Sequence, residues 1–201
     1  MSDCGCHVEP AQDPKQRRTL WIALVLNAGM ALVGFLIGWW AQSTGVLADA
    51  LDMFSDATAY AIGLLAIGRS PLFKRRVAEV SGTVLLILGV GVIVEAVRRG
   101  LVGSEPSSLW MMAAASLSLV VNLAVLRMLR PFRHGEVHLR ATWIFTRADV
   151  VANIGMLVAA GLVLMTASRF PDLIVGAAIG AYIVKEAVGI LRDAREQALP
   201  A

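Results

Sequence analysis

Apolar residues gather into six long windows along the chain, separated by short polar connections. Each window approaches the roughly 20 residues that a helix needs to cross the hydrocarbon core of a bilayer. The first window follows a polar stretch without a small-residue cleavage site, so we interpret it as a retained helix. The pattern predicts an all-α membrane protein with six transmembrane helices, at Leu20–Ala41, Val46–Ile67, Val77–Val97, Leu109–Leu126, Ala141–Ala167 and Leu173–Leu191.

Lysine and arginine residues concentrate on one side of the predicted membrane. They precede the first helix, fill the second-to-third and fourth-to-fifth connections and follow the sixth helix, whereas the other side carries Arg98, Arg99 and Arg169. By the positive-inside rule both termini are cytoplasmic. We expect a flexible cytoplasmic tail over 1–19, a membrane domain over 20–191 and a short cytoplasmic tail over 192–201, in the inner membrane of a bacterium.

The composition excludes several classes of protein. Hydrophobic residues make up 57% of the chain and charged residues 16%, against about 45–50% and about 25% in soluble domains. The mean hydropathy of +0.69 is that of a chain embedded in lipid. These values argue against a disordered protein, a nucleic-acid binder and an ordinary soluble enzyme, despite the net charge of +3. Both cysteines fall within the first six residues, which excludes a disulfide framework.

Acidic residues interrupt two of the apolar windows. Asp49, Asp52 and Asp56 lie in the second window, and their spacings of three and four residues place them on one helical face. Asp149 lies in the fifth window, with Asn153 one turn further on. An ionisable side chain at bilayer depth costs about 2.5–3.5 kcal/mol and usually marks a functional site. We therefore expect two helices to direct oxygen ligands toward a common interior.

Carboxylates in a low-dielectric interior need a counter-charge or a bound proton. A divalent cation supplies the first and partial protonation the second, so a site that alternates between them exchanges metal for protons. The structural alternative is that these aspartates cap helices or form salt bridges. Asp49, nearest the start of its helix, could instead interact with the helix dipole, whereas Arg147 lies on nearly the opposite side of its helix from Asp149.

These residues resemble a known family. The run Leu47-Ala-Asp-Ala-Leu-Asp-Met-Phe-Ser-Asp56 is similar to the second-helix signature of the cation diffusion facilitator transporters, with Asp52 and Asp56 at its metal-binding positions. The stretch from Arg140 to Asp149 resembles the fifth-helix half, usually His-x-x-x-Asp, with Asp149 at the aspartate and Phe145 at the histidine. Supporting similarities over residues 18–193 are Asn27, Asn122 and Pro171-Asp172.

The resemblance implies efflux of a divalent transition metal, in exchange for protons, through a site between the second and fifth helices. Zn²⁺ is the expected ion, with Cd²⁺, Co²⁺, Fe²⁺ and Mn²⁺ as alternatives. Because Phe145 cannot ligate a metal, the implied ligands are Asp52, Asp56 and Asp149, completed by Asn153, Thr146 or water. Losing an imidazole shifts preference toward oxygen-loving ions such as Mn²⁺ or Fe²⁺. We expect a short member of the family, without its C-terminal cytoplasmic domain.

Further metal ligands occur outside the membrane windows. Cys4, Cys6 and His7 offer two thiols and an imidazole that could capture a metal transiently, or form a tail without a role. His134 and His138 could form an entry site if their connection is helical, or lie in a solvated loop.

Small-residue motifs occur in the first and sixth windows, at Gly34-x-x-x-Gly38 and Gly176-x-x-x-Gly180. Such motifs allow helices to approach closely. We interpret them as packing within one bundle and leave open a homodimer through the transmembrane helices.

Two other functions compete with transport. Membrane phospholipid synthases of the CDP-alcohol phosphotransferase type also bind metals through helix aspartates, but they need an earlier aspartate segment, and no aspartate occurs between Asp13 and Asp49. We therefore expect the protein not to be an enzyme. A non-transporting metal sensor, or a regulatory partner of a full-length transporter, is the remaining alternative.

Overall fold

The chain folds into a bundle of six α-helices within residues 14–65, 70–132 and 137–196, the part described by the computed structural model. A short 3₁₀ turn at Arg130–Phe132 follows the fourth helix. The tail residues Cys4, Cys6 and His7, together with His134, lie outside the described residues. The helices are α1 (Pro14–Trp40), α2 (Thr44–Leu65), α3 (Pro71–Val102), α4 (Ser108–Leu129), α5 (Val137–Thr166) and α6 (Phe170–Glu196).

Each predicted window overlaps one helix, and each helix runs beyond its window at one end or both. The third helix begins at Pro71 rather than Val77, because the Ser70 hydroxyl accepts a hydrogen bond from the Phe73 N–H at 3.4 Å and a proline occupies the first turn. Proline is well suited to that position, since its missing N–H has no intrahelical partner there. Hydropathy detects the apolar part of a helix, whereas capping determines where the helix begins.

Five of the helices described here, α1, α3, α4, α5 and α6, are long and apolar enough to cross a membrane. They make the chain an all-helical, multi-pass membrane protein. The helix outside this group is α2, which carries Asp49, Asp52 and Asp56. It is also largely buried by the other helices, so its carboxylates are directed into protein rather than lipid. A sixth crossing by α2 stays a prediction.

The bundle is built from three closely packed pairs, α1 with α2, α3 with α6 and α4 with α5. The helix α2 contacts each of the other five, and packs most extensively on α1 and α6. It meets α5 much less closely, so groups on these two helices come together through side chains rather than through adjoining backbones.

Both small-residue motifs pack against helices of the same chain. A methyl group added at Gly34 would lie 2.8 Å from Cβ of Ala50 on α2, and one added at Gly176 would lie 2.7 Å from the backbone carbonyl carbon of Thr44. Real Cβ atoms do not approach other atoms so closely. Intramolecular packing therefore accounts for these glycines, and a homodimer through other surfaces stays a prediction.

Three connections, between α1 and α2, α3 and α4, and α5 and α6, meet at one end of the bundle. Ser107 N–H donates to the Ala41 carbonyl at 3.0 Å, and Arg169 Nη2 donates to the Gly100 carbonyl at 3.2 Å. We call this the Asp172 end, because the buried carboxylate of Asp172 on α6 binds the start of α2 there.

Candidate metal site

Asp52 and Asp56 lie one turn apart on α2 and face the interior of the bundle. The side chain of Asp52 is buried, and that of Asp56 is partly buried. Because the helix places residues at this spacing on one face, both carboxyl groups are directed toward α5. The burial of Asp52 and the partial burial of Asp56 agree with the prediction that these side chains avoid the lipid.

Asp149 of α5 approaches both of these aspartates. Its side chain is buried, and its carboxyl group lies within hydrogen-bonding range of those of Asp52 and Asp56. Carboxyl groups in such contact cannot all carry a full negative charge without a proton or a cation between them. The residues singled out on two helices far apart in sequence are thus brought together in space.

Asn153 stands one turn beyond Asp149 and is completely buried. Neither its amide oxygen nor its amide nitrogen makes a hydrogen bond to any described residue, and the same is true of Oδ2 of Asp149. Buried polar groups are nearly always hydrogen-bonded. Unused acceptors of this kind are available for a ligand.

Thr146, the other candidate on α5, contacts α2 further along. Its side chain is buried and lies close to that of Tyr60, whose hydroxyl makes no hydrogen bond to any described residue. Tyr60 follows Asp56 by one turn, so this contact joins α2 to α5 just beyond the carboxyl groups. Thr146 therefore has a structural partner in this arrangement.

Asp49 points toward α4 rather than directly at Asp149. Its Oδ2 accepts a hydrogen bond of 2.6 Å from the Ser118 hydroxyl. The N–H groups at the start of α2 are bound instead by Asp172, at 2.7 Å for Thr44 and 3.0 Å for Gly45. Asp172, and not Asp49, is therefore the acidic residue that binds the start of α2.

The described residues hold no group of three or more His, Cys, Asp or Glu side chains already arranged around a metal position. Asp149 approaches both Asp52 and Asp56, but the three carboxyl groups do not surround a common point. Binding a cation here requires small side-chain movements that turn the three groups toward it. The side chains of Phe145 and His138, which lie on α5, are outside the described part of the chain.

Glu186 of α6 is an acidic neighbour that the sequence pattern did not assign to the site. Its carboxyl group is close enough to Asp52 and Asp56 for electrostatic repulsion, and it lies near the Tyr182 hydroxyl on the same helix. A single glutamate near the end of a helix carries no local motif. Its position relative to α2 follows only from the packing of α6 on α2.

Arg147 does not neutralise Asp149 in this structure. Its guanidinium group lies over the ring of Trp143, 5.0 Å from the centroid, and its side chain is exposed. The expectation that Arg147 and Asp149 point in different directions is confirmed by this placement.

Comparison with known proteins connects this geometry to a family. The family model for the cation efflux transmembrane domain matches residues 20–72 and 73–197. The chain is 24% identical to the cation efflux system protein CzcD of Alcaligenes sp. (strain CT14) over 188 residues, which cover 88% of this chain and 60% of that protein.

The names of two further relatives include the metals concerned. The zinc transporter ZitB of Escherichia coli (strain K12) is 25% identical over 204 residues, covering 94% of this chain and 64% of ZitB. A cadmium, cobalt and zinc/H(+)-K(+) antiporter of Bacillus subtilis (strain 168) is 19% identical over 191 residues, covering 88% of this chain and 61% of the antiporter. The chain thus spans somewhat under two thirds of the length of these proteins, which are transporters rather than enzymes by name.

Proposed function

Because the chain belongs to the cation efflux family, we propose that it moves divalent transition-metal ions out of the cytoplasm. In this proposal all six helices cross the cytoplasmic membrane, and the lysines and arginines outside the windows hold both termini on the cytoplasmic side. The Asp172 end then faces away from the cytoplasm.

One observation carries the proposal most directly: Asp149 of α5 contacts both Asp52 and Asp56 of α2 in the buried interior. The three carboxylates are the proposed ligands of the transported ion. Asn153 supplies a further oxygen through its unused amide group, and Asp49 adds negative charge close by. A buried set of anionic oxygens attracts a dication strongly, because the low-dielectric surroundings screen their charge poorly.

Proton exchange follows from the same charges. When the metal leaves, mutual repulsion among the carboxylates favours binding of protons, and when a metal returns it displaces them. The helices α2 and α5 meet through side chains rather than close backbone packing, so a small relative movement can open the site. Alternation between protonated and metal-bound forms would couple outward metal flux to inward proton flux.

Zn²⁺ is the proposed principal ion, and Cd²⁺ and Co²⁺ are further candidates because relatives are named for these metals. An all-oxygen ligand set also suits Mn²⁺ and Fe²⁺ better than one containing imidazole. Since zinc binds more tightly than manganese at most sites, we place zinc first.

Metal flux into proteoliposomes tests the proposal. We expect the wild type to take up zinc into vesicles with an acidic interior, driven by protons that leave. The flux should fall about tenfold or more in Asp52→Asn and Asp149→Asn, which keep side-chain size while removing charge. Glu79→Gln is the matched control, because this carboxylate pairs with Arg75 at 2.8 Å on α3. Equal flux in all variants would refute the ligand assignment, and metal binding without flux in the wild type would indicate a sensor.

A further inference from the structure

A cluster of charged side chains lies at the Asp172 end and is separate from the acidic site. Glu95 accepts hydrogen bonds from Arg98 Nε and Nη2, both at 2.7 Å, and from Arg99 Nε at 2.6 Å. Arg98 is exposed, whereas Arg99 has only 5% of its surface accessible. Burying an arginine is costly unless all of its N–H groups have partners.

The hydrogen-bonding capacity of Arg99 is only partly used. Its Nη1 is buried and has no hydrogen-bond partner among the described residues. The hydroxyl of Ser104 and Nε of Arg169 are also buried and have no hydrogen-bond partner among the described residues. All three groups are hydrogen-bond donors, so together they favour a ligand rich in acceptor oxygens.

Two of these donors, on Arg99 and Ser104, border a cavity of about 340 Å³. Its other lining residues are Trp39, Gln42, Glu95, Arg98 and Gly103. The backbone at Gly103 has a φ of 108°, which suits glycine. Nη1 of Arg169 lies near the position that a side chain at Gly103 would occupy, at 3.7 Å. The cavity therefore receives donors from α3 and from the connection after it, and Arg169, just before α6, lies beside it at Gly103.

The nearby carboxylates do not accept hydrogen bonds from these unpartnered donors. Glu95 is engaged by Arg98 and by Nε of Arg99, and Asp172 binds the start of α2. Glu105 lies in an exposed part of the connection, where its backbone N–H donates to Oε1 of Gln42 at 3.4 Å. The unpartnered donors thus retain the capacity to bind an external anion.

The level of the cavity in the membrane indicates which anions reach it. Trp39 and Trp40, at the end of α1, are 77% and 80% exposed. Exposed tryptophans at helix ends lie at the level of lipid headgroups. Phosphate is the common anionic group there, and arginine recognises it through paired N–H donors.

We propose that this cavity is a phosphate-binding site, in which Arg99 and Ser104 donate hydrogen bonds to the oxygens of one phosphate group and Arg169 adds positive charge beside it. The phosphate belongs either to a phospholipid headgroup or to free inorganic phosphate. The site does not depend on metal transport, and its assignment to the non-cytoplasmic side rests on the proposed function.

Two binding measurements on the full-length protein distinguish these sources. In phosphate-free detergent micelles, inorganic phosphate is titrated by calorimetry. In parallel, the protein is extracted from vesicles of phosphatidylcholine with phosphatidylglycerol, and retained phospholipid is counted by native mass spectrometry. Retained phospholipid without phosphate binding identifies a headgroup, and phosphate binding identifies the free anion; either result supports the site.

Variants link the binding to the cavity. Arg99→Gln is expected to weaken it by about tenfold or more, with Arg99→Lys intermediate because it keeps the charge but loses the paired donors. Ser104→Ala is a milder change that removes one donor if Arg99→Gln fails to fold. Arg75→Gln is the matched control, since it also breaks an Arg–Glu pair on α3. Unchanged binding in Arg99→Lys and Ser104→Ala, or no binding by the wild type in either assay, would overturn the proposal.

Discussion

Asp172 on α6 accepts a hydrogen bond from the hydroxyl of Ser43, the residue just before α2, across 129 positions of sequence. The same carboxylate accepts from the N–H groups of Thr44 at 2.7 Å and Gly45 at 3.0 Å, while the Ser43 hydroxyl accepts from Val46 N–H at 3.0 Å. Asp172 of α6 and Ser43, which lies just before α2, therefore share the capping of α2.

Removing this carboxylate should destabilise the fold. Asp172→Ala leaves buried N–H groups without acceptors, and we expect a loss of about 2–4 kcal/mol in the free energy of unfolding, against about 1 kcal/mol for Ser43→Ala. Reversible unfolding in mixed micelles measures both. Because the two side chains share one network, the double variant should lose less than the sum of the single losses. Strict additivity would show that the pair is not coupled.

Two glycines on α6 offer a matched test of helix approach. A methyl group at Gly176 would collide with the backbone at Thr44, whereas one at Gly189 would meet nothing within 4 Å. We expect Gly176→Ala to lower the free energy of unfolding by about 1–3 kcal/mol through overpacking. Gly189→Ala should leave stability unchanged or raise it by up to about 1 kcal/mol, because alanine favours the helix. Similar effects at both positions would contradict this packing.

Metal binding by the acidic site should release protons. Protons and metal compete for the carboxylates of Asp52, Asp56 and Asp149, so affinity should rise as pH increases. Calorimetric titration of Zn²⁺ in buffers with different protonation enthalpies gives the number of protons released. We expect fewer in Asp149→Asn. A background with Cys4→Ser and Cys6→Ser excludes metal capture by the tail thiols, and a pH-independent affinity would argue against exchange.

Glu186 should strengthen metal binding without contacting the ion. Its charge faces Asp52 and Asp56 from α6, so Glu186→Gln removes part of the field that attracts a dication. We expect zinc affinity to fall by about tenfold or less, with one ion still bound per site. Glu79→Gln serves as the control. If Glu186→Gln abolished binding altogether, Glu186 would have to be a direct ligand.

Restoring an imidazole at position 145 should change the preference among metals. Position 145 lies one turn before Asp149 on α5, and histidine is a better ligand for Zn²⁺ than for Mn²⁺. Phe145→His should raise zinc affinity by about tenfold or more while affecting Mn²⁺ much less. Competition titrations with the two ions measure this ratio. An unchanged ratio would mean that position 145 does not face the site.

The helices and the acidic pair on α2 were predictable because both depend on local periodicity. Apolar windows locate helices, and the spacing from Asp52 to Asp56 fixes a shared face whatever the helix packs against. The contact with Asp149 could be expected once this face of α2 was assumed to point into the protein. That assumption is reasonable because a charged group in lipid is costly. Helix ends such as Pro71 were missed because hydropathy does not detect capping.

Contacts between distant segments could not be predicted in the same way. Asp172 was noted at the start of the sixth helix, but its hydrogen bonds depend on how Gly176 lets α6 approach Thr44. Glu186 and the unused donor of Arg99 likewise acquire their surroundings from helix packing. Their residue types indicate chemistry, while the partners are set by the tertiary arrangement.

The hydrogen bonds at the start of α2 fix that end of the helix to α6. At 1.5 Å per residue, Asp52 lies about 14 Å and Asp56 about 20 Å along the axis from Ser43. A swing of α2 by about 10° around that point would carry Asp56 about 3 Å and Asp52 about 2 Å. One rigid tilt of the helix would therefore move both carboxylates relative to α5, with the larger displacement at Asp56.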